Sequence, residues 1–160
     1  FLTAYFILKQ QNEKERLKEE RSDAHERRVK TNETLLPIKL QAYERLTLFL
    51  ERIHPHQLIL RNSKPGINTF QFQSLLIKSI RDEFDHNLSQ QLYVSEKVWT
   101  KVLHAKEECS KQINFASSKL NSEAKSTELG SLIIQQYSQL TPSPIQDAIK
   151  QLKLDIHKGL

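Results

Sequence analysis

Residues 95–120 read SEKVWTKVLHAKEECSKQINFASSKL, and this stretch decides the fold. Val98, Val102, Ala105, Cys109, Ile113, Ala116 and Leu120 recur at three- and four-residue steps. That spacing draws one apolar stripe down a helix. Lys and Glu residues occupy the opposite side. Ser95 stands just before the helix, where its hydroxyl can accept an early backbone N–H. A helix with one apolar face needs other helices to cover that face.

The same period recurs on both sides of it. Asn68-Thr69-Phe70-Gln71 resembles a capping box. Phe72, Leu75, Leu76, Ile80, Phe84 and Leu88 then predict a helix to about Leu92. Ser126 opens a short helix through Leu129, Leu132, Ile133 and Tyr137, which Thr141-Pro142-Ser143-Pro144 breaks. Ser143 as cap, Pro144 at the first position and Gln146 three after the cap open the last helix. Ile145, Ala148, Ile149, Leu152 and Ile156 form its face, and Gly159 suits its stop. Toward the N-terminus, Pro37 suits a first turn, and Tyr43, Leu46, Phe49, Leu50 and Ile53 follow at helical spacing until His54-Pro55. Residues 55–68 (PHQLILRNSKPGIN) read as the longest connection, with a turn at Lys64-Pro65-Gly66-Ile67. Leu58, Ile59 and Leu60 are expected to pack on the core. Three Gly and five Pro leave few tight turns. The expected fold is all-α, a bundle of about five amphipathic helices over residues 35–160.

Residues 9–34 are different. They are charged and free of Gly and Pro, with Arg16–Glu20, Asp23–Arg27, Glu26–Lys30 and Glu15–Lys18 spaced for helical ion pairs. Leu17, Ala24 and Val29 are too sparse for a coiled-coil seam. Such a segment is expected to be a helical stalk of roughly 40 Å, or to fold back through Leu17 and Val29. Residues 1–8 (FLTAYFIL) are apolar, and Lys9 ends the run. They are expected to be the end of a transmembrane helix that starts before Phe1, since a span needs about 20 apolar residues. Lys9, Lys14, Arg16, Lys18, Arg21, Arg27 and Arg28 follow closely, which places the body on the cytoplasmic side of a single-pass anchor.

The net charge of +5 is spread along the chain with acids beside the bases. Nucleic-acid binders concentrate Lys and Arg on one face or arm, so no nucleic acid is expected as a partner. Cys109 is alone and cannot form an intrachain disulfide. It reads as a small apolar residue of the stripe. The chain holds no Gly-rich phosphate loop, no H-E-x-x-H, no C-x-x-C and no G-x-S-x-G, and no nucleophile has a neighbouring base. An enzyme is not expected, and neither is a cofactor.

One pattern invites a metal. Glu-x-x-His occurs at Glu51–His54 and at Glu83–His86, and paired motifs of this kind bind two metals in four-helix carboxylate proteins. Glu51, however, falls far from its helix's apolar face, and His54 abuts Pro55. Only the Glu83–His86 pair can turn inward. Glu107, Glu108 and Glu128 do not select themselves as partners. Glu83, His86 and His54 are the candidate ligands, and they do not make a complete site. His54 and His56 flank Pro55, but two imidazoles alone do not define a metal centre. The dense polar cluster around Phe84 is the better candidate surface. Glu83, Asp85, His86, Asn87, Gln90 and Gln91, with Trp99, are the candidate partner-binding residues; the alternative is plain helix surface beside a core Phe.

The stretches Leu40–Ile53 (LQAYERLTLFLERI) and Glu83–Ser95 (EFDHNLSQQLYVS) resemble a family of uncharacterised membrane-anchored helical proteins of Bacteroidota, a domain of unknown function. The resemblance implies a bacterial inner-membrane setting and no activity, cofactor or catalytic residue. The expected role is a non-enzymatic accessory or scaffold subunit that binds other proteins of a membrane complex. A di-metal helical bundle and a basic nucleic-acid-binding domain are the competing readings.

Overall fold

The computed structural model describes residues 2–121 and 123–159, with only the backbone described at residues 2–4, 158 and 159. Its described residues form six α-helices: α1 (Leu2–Ile53), α2 (Pro55–Asn62), α3 (Thr69–Asn87), α4 (Glu96–Ser118), α5 (Ser126–Ser138) and α6 (Pro144–Gly159). A 3-10 turn, Leu88–Leu92, links α3 to α4. The chain divides into two units, Phe1–Lys39 and Leu40–Leu160, and α1 runs through the division.

In the first unit, residues 5–35 are exposed. Leu17 and Val29 are among them. Arg16 and Glu20 approach to 3.8 Å, and Lys30 and Glu26 to 2.7 Å, both four apart on the helix. These pairs favour the helix by a few tenths of a kcal/mol each. No helix among the described residues is long and apolar enough to cross a membrane. Of the apolar run, Tyr5, Phe6, Ile7 and Leu8 are helical and exposed. Phe1 lies outside the described residues, as do the side chains of Leu2, Thr3 and Ala4. The helix does not begin at Pro37. It continues through that residue, so the Glu33 carbonyl loses its usual N–H partner. Good helix formers on both sides outweigh the single lost bond.

In the second unit, the predicted apolar stripes converge. α4 packs against α3, α5 and α6. It contributes Val98, Val102, Ala105, Cys109, Ile113 and Ala116, all buried. Leu46, Phe49, Leu50 and Ile53 from α1 and Phe72, Leu76 and Ile80 from α3 join the same core. Each fully buried Leu, Ile or Phe contributes about 1.5–3 kcal/mol. The caps form where the residues require them. Asn68 Oδ1 accepts Gln71 N–H at 2.9 Å while Gln71 Oε1 accepts Asn68 N–H at 3.1 Å. Ser95 Oγ accepts Val98 N–H at 3.3 Å. Lys125 N–H donates to Glu128 Oε1 at 3.2 Å, and an ammonium has no lone pair to reciprocate.

Residues 55–62 are not a connection but a two-turn helix. Pro55 sits at its first position, where a missing N–H costs nothing. The helical turn buries Leu58 and half-buries Ile59 but points Leu60 outward, leaving it 75% exposed. α3 likewise stops at Asn87 rather than near Leu92, and Leu88 and Leu92 face solvent on the 3-10 turn.

Candidate functional site

The predicted polar cluster is built across α1, α2 and α3. Glu83 Oε1 lies 2.7 Å from Arg52 Nε and 3.0 Å from Arg61 Nη1. Arg61 Nη2 also donates to the Arg52 carbonyl at 3.0 Å, near the C-terminal end of α1. One carboxylate thus ties three helix segments, and Arg61 stabilises the negative end of one of them. Beneath it, Phe84 stacks on Trp99 at 5.7 Å and meets Phe49 at 6.0 Å. Lys106 Nζ sits 4.6 Å from the Phe84 ring centroid. Trp99 is half-buried at the rim of the core.

The structure separates the sequence candidates by depth. Asp85, His86 and Gln91 are exposed. Asn87 and Gln90 are buried. Asn87 Nδ2 donates to the Glu83 carbonyl at 2.8 Å, and Gln90 Nε2 to Ser89 Oγ at 3.2 Å. His86 Nδ1 lies 2.6 Å from the Asp82 carbonyl, which fixes its proton there. Gln91 Nε2 donates to the Leu88 carbonyl at 3.0 Å. Beside this row runs a groove of about 350 Å³ between α1 and α3, lined by Arg45, Leu48, Arg52, Asp82, Glu83 and His86 among others. Leu48 is 54% exposed in its wall.

Glu83 and His86 do not converge as metal ligands. The first is held by two guanidinium groups and the second by a backbone carbonyl. Glu51 faces solvent. No group of three or more His, Cys, Asp or Glu able to hold a metal occurs among the described residues. His54 sits elsewhere, with its ring edge-on to Tyr137 at 5.4 Å and parallel to His56 at 5.8 Å. Burial first, and His56 second, push the His54 imidazole below its ordinary range. Cys109 is buried, and burial, aided by the nearby Glu108 charge, pushes its thiol up to about 12. A thiol held protonated is a core residue, not a nucleophile.

A family model matches residues 1–159 of the chain. The chain belongs to DUF7935, a family of unknown function. None of the curated proteins and none of the solved structures matches it. Within this DUF7935 chain, Arg45, Leu48, Arg52, Arg61 and Asp82 are site residues that sequence reasoning missed. Arg61 meets Glu83 across 22 residues, a pairing that no local spacing signals. Leu48 and Arg45 fall off the apolar face of their helix, where any residue type is ordinary.

Proposed function

We propose that this chain is a non-enzymatic binding domain, an accessory or scaffold subunit of a protein complex at a bacterial inner membrane. Its contact surface is the α1–α3 groove, and its body lies on the cytoplasmic side. The observation that carries this reading is the make-up of that groove. An exposed leucine, Leu48, stands among Arg45, Arg52, Asp82 and His86 beside the Arg52–Glu83–Arg61 ion pairs. An apolar centre in a rim of both charges suits a protein partner better than a phosphate backbone, which asks for basic groups alone. Support for the membrane comes from Tyr5 to Leu8, exposed on α1 and followed by Lys and Arg interleaved with acids, of which the bases are what counts for orientation beside a membrane. The resemblance to membrane-anchored bacterial proteins points the same way.

The test is purification of the tagged intact protein from its native membranes in mild detergent, with mass spectrometry of what accompanies it. The reading expects a stoichiometric membrane assembly that Leu48→Asp disperses. Recovery in the soluble fraction, or a lone protein whose behaviour Leu48→Asp leaves unchanged, contradicts it.

A further inference from the structure

A second cleft, of about 550 Å³, opens where the α1–α2 junction meets the loop between α5 and α6. Its size is that of a small-molecule site. Two imidazoles, His54 and His56, are among its lining residues. Tyr137, Ser138, Thr141 and Ser143 line it as well, the Tyr137 ring meets His54 edge-on, and Tyr137 Oη and Ser143 Oγ are joined at 3.0 Å. No carboxylate, lysine or arginine is among the described lining residues.

We propose that this cleft binds a compact organic oxyanion, a phosphate monoester or a carboxylate, held between the two imidazoles and the loop hydroxyls. The sign of the charge carries the argument. His54 and His56 are the imidazoles among the described lining residues, and an imidazole that takes up a proton becomes positive. Burial holds the Tyr137 hydroxyl above its ordinary range, so it stays a neutral donor. Ser138 Oγ already donates to the Gln135 carbonyl at 2.7 Å, which leaves the Thr141 hydroxyl, the Tyr137–Ser143 pair and the Gln146 amide as neutral groups that can donate to oxygen. For a cation the opposite charge that acts on His54 is Glu51, one turn back on α1, which faces solvent and is not among the described lining residues. A metal finds two imidazoles where zinc takes four ligands, and no third His, Cys, Asp or Glu joins them among the described residues.

The rings also explain how binding is coupled to pH. They lie parallel at 5.8 Å, so protonating both in the empty cleft sets two like charges side by side. An oxyanion removes that penalty, and proton uptake accompanies it. The other groups acting on His54 are Glu51 one turn back on α1, which favours its charged form, and Tyr137 from α5. The loop and α6 face it with uncharged Thr141, Ser143 and Gln146.

The test is an imidazole-detected NMR titration of the whole chain with inorganic phosphate, methyl phosphate and acetate in parallel, at pH 5.5 and pH 8. The chain has six histidines. Phosphate or acetate is expected to move the His54 and His56 signals and leave His25, His86, His104 and His157 in place. If binding raises one imidazole pKa by a single unit, affinity at the lower pH is about tenfold higher. The exposed His56→Gln variant is expected to keep its melting temperature and weaken binding severalfold. Preference between methyl phosphate and acetate assigns the oxyanion. Equal movement of all six imidazoles, affinity independent of pH, or zinc binding in place of the anions overturns the proposal.

Discussion

The Tyr43 hydroxyl donates to Asp155 Oδ2 at 2.6 Å, joining α1 to α6 across 112 residues. The same carboxylate oxygen accepts the Ser95 N–H at 3.3 Å, at the start of α4. One acid therefore ties the two ends of the bundle to its central helix.

Tyr43→Phe deletes the donor and leaves the ring in place. A partly buried hydrogen bond to a charged acceptor is worth about 1.5–3 kcal/mol at most, and its exposure reduces that, so a loss of about 1–2 kcal/mol is expected. Burial first, then Asp155, raises the Tyr43 pKa well above the ordinary tyrosine range. A raised folded-state pKa gives stability that is complete below about pH 10 and falls as pH rises beyond it, because only the unfolded chain ionises there. Urea midpoints at pH 8 and pH 10.5 check both points. Tyr43→Phe is expected to lose stability at pH 8 and to show a shallower alkaline decline than the parent.

Glu83 is the shared partner of Arg52 and Arg61, and its side chain is 19% exposed. Glu83→Ala leaves two guanidinium groups facing each other without their acid. With Arg52 55% and Arg61 33% exposed, solvent softens the effect, and about 1–2 kcal/mol of destabilisation is expected. Glu83→Gln keeps one acceptor and is expected to lose less. Denaturant unfolding of the two variants orders them; equal midpoints would show that the double ion pair contributes nothing.

His54 gives the acid side of the stability profile. Its folded-state pKa is lowered, so the unfolded chain binds the proton more readily. Stability is then complete above about pH 6.5 and declines as pH falls below it. Thermal melts between pH 7.5 and pH 5.5, in buffer without phosphate or carboxylate, are expected to show this decline, and His54→Gln to flatten it. A variant with the parent's acid slope would refute this assignment.

Gln136 carries both side-chain amide atoms buried without a hydrogen-bond partner among the described residues. An unpaired buried amide costs about 1–3 kcal/mol, so Gln136→Leu is expected to raise the melting temperature while the helix content stays constant. A drop in melting temperature would mean that the amide has a partner in solution.

The helices of the bundle were legible wherever a cap and an apolar stripe coincided. Asn68 with Gln71, Ser95 with Val98, and Ser143-Pro144 mark helix starts because capping is chemistry within four residues. The stripe of α4 was legible for the same local reason. α2 was not, because eight residues are too few to display a period, and Leu58-Ile59-Leu60 mimics a continuous apolar run. Continuity of α1 through Pro37 was hidden because that proline fits a helix start as well as an interior. At the candidate site, Glu83 and its neighbours on α3 were visible as a dense polar cluster. Its true partners were not, since Arg52 and Arg61 reach it only after α1, α2 and α3 have packed.

The central claim, a protein-binding groove between α1 and α3, is tested most directly by site-specific photocrosslinking in living cells. A photoreactive residue at Leu48 is compared with one at Leu60 and one at Leu154, both exposed but outside the groove. The account predicts one discrete adduct at position 48, containing the same membrane-complex subunit in every preparation, lost with Arg45→Glu and missing at positions 60 and 154. Adducts of the same pattern at all three positions, or none at position 48, would contradict it.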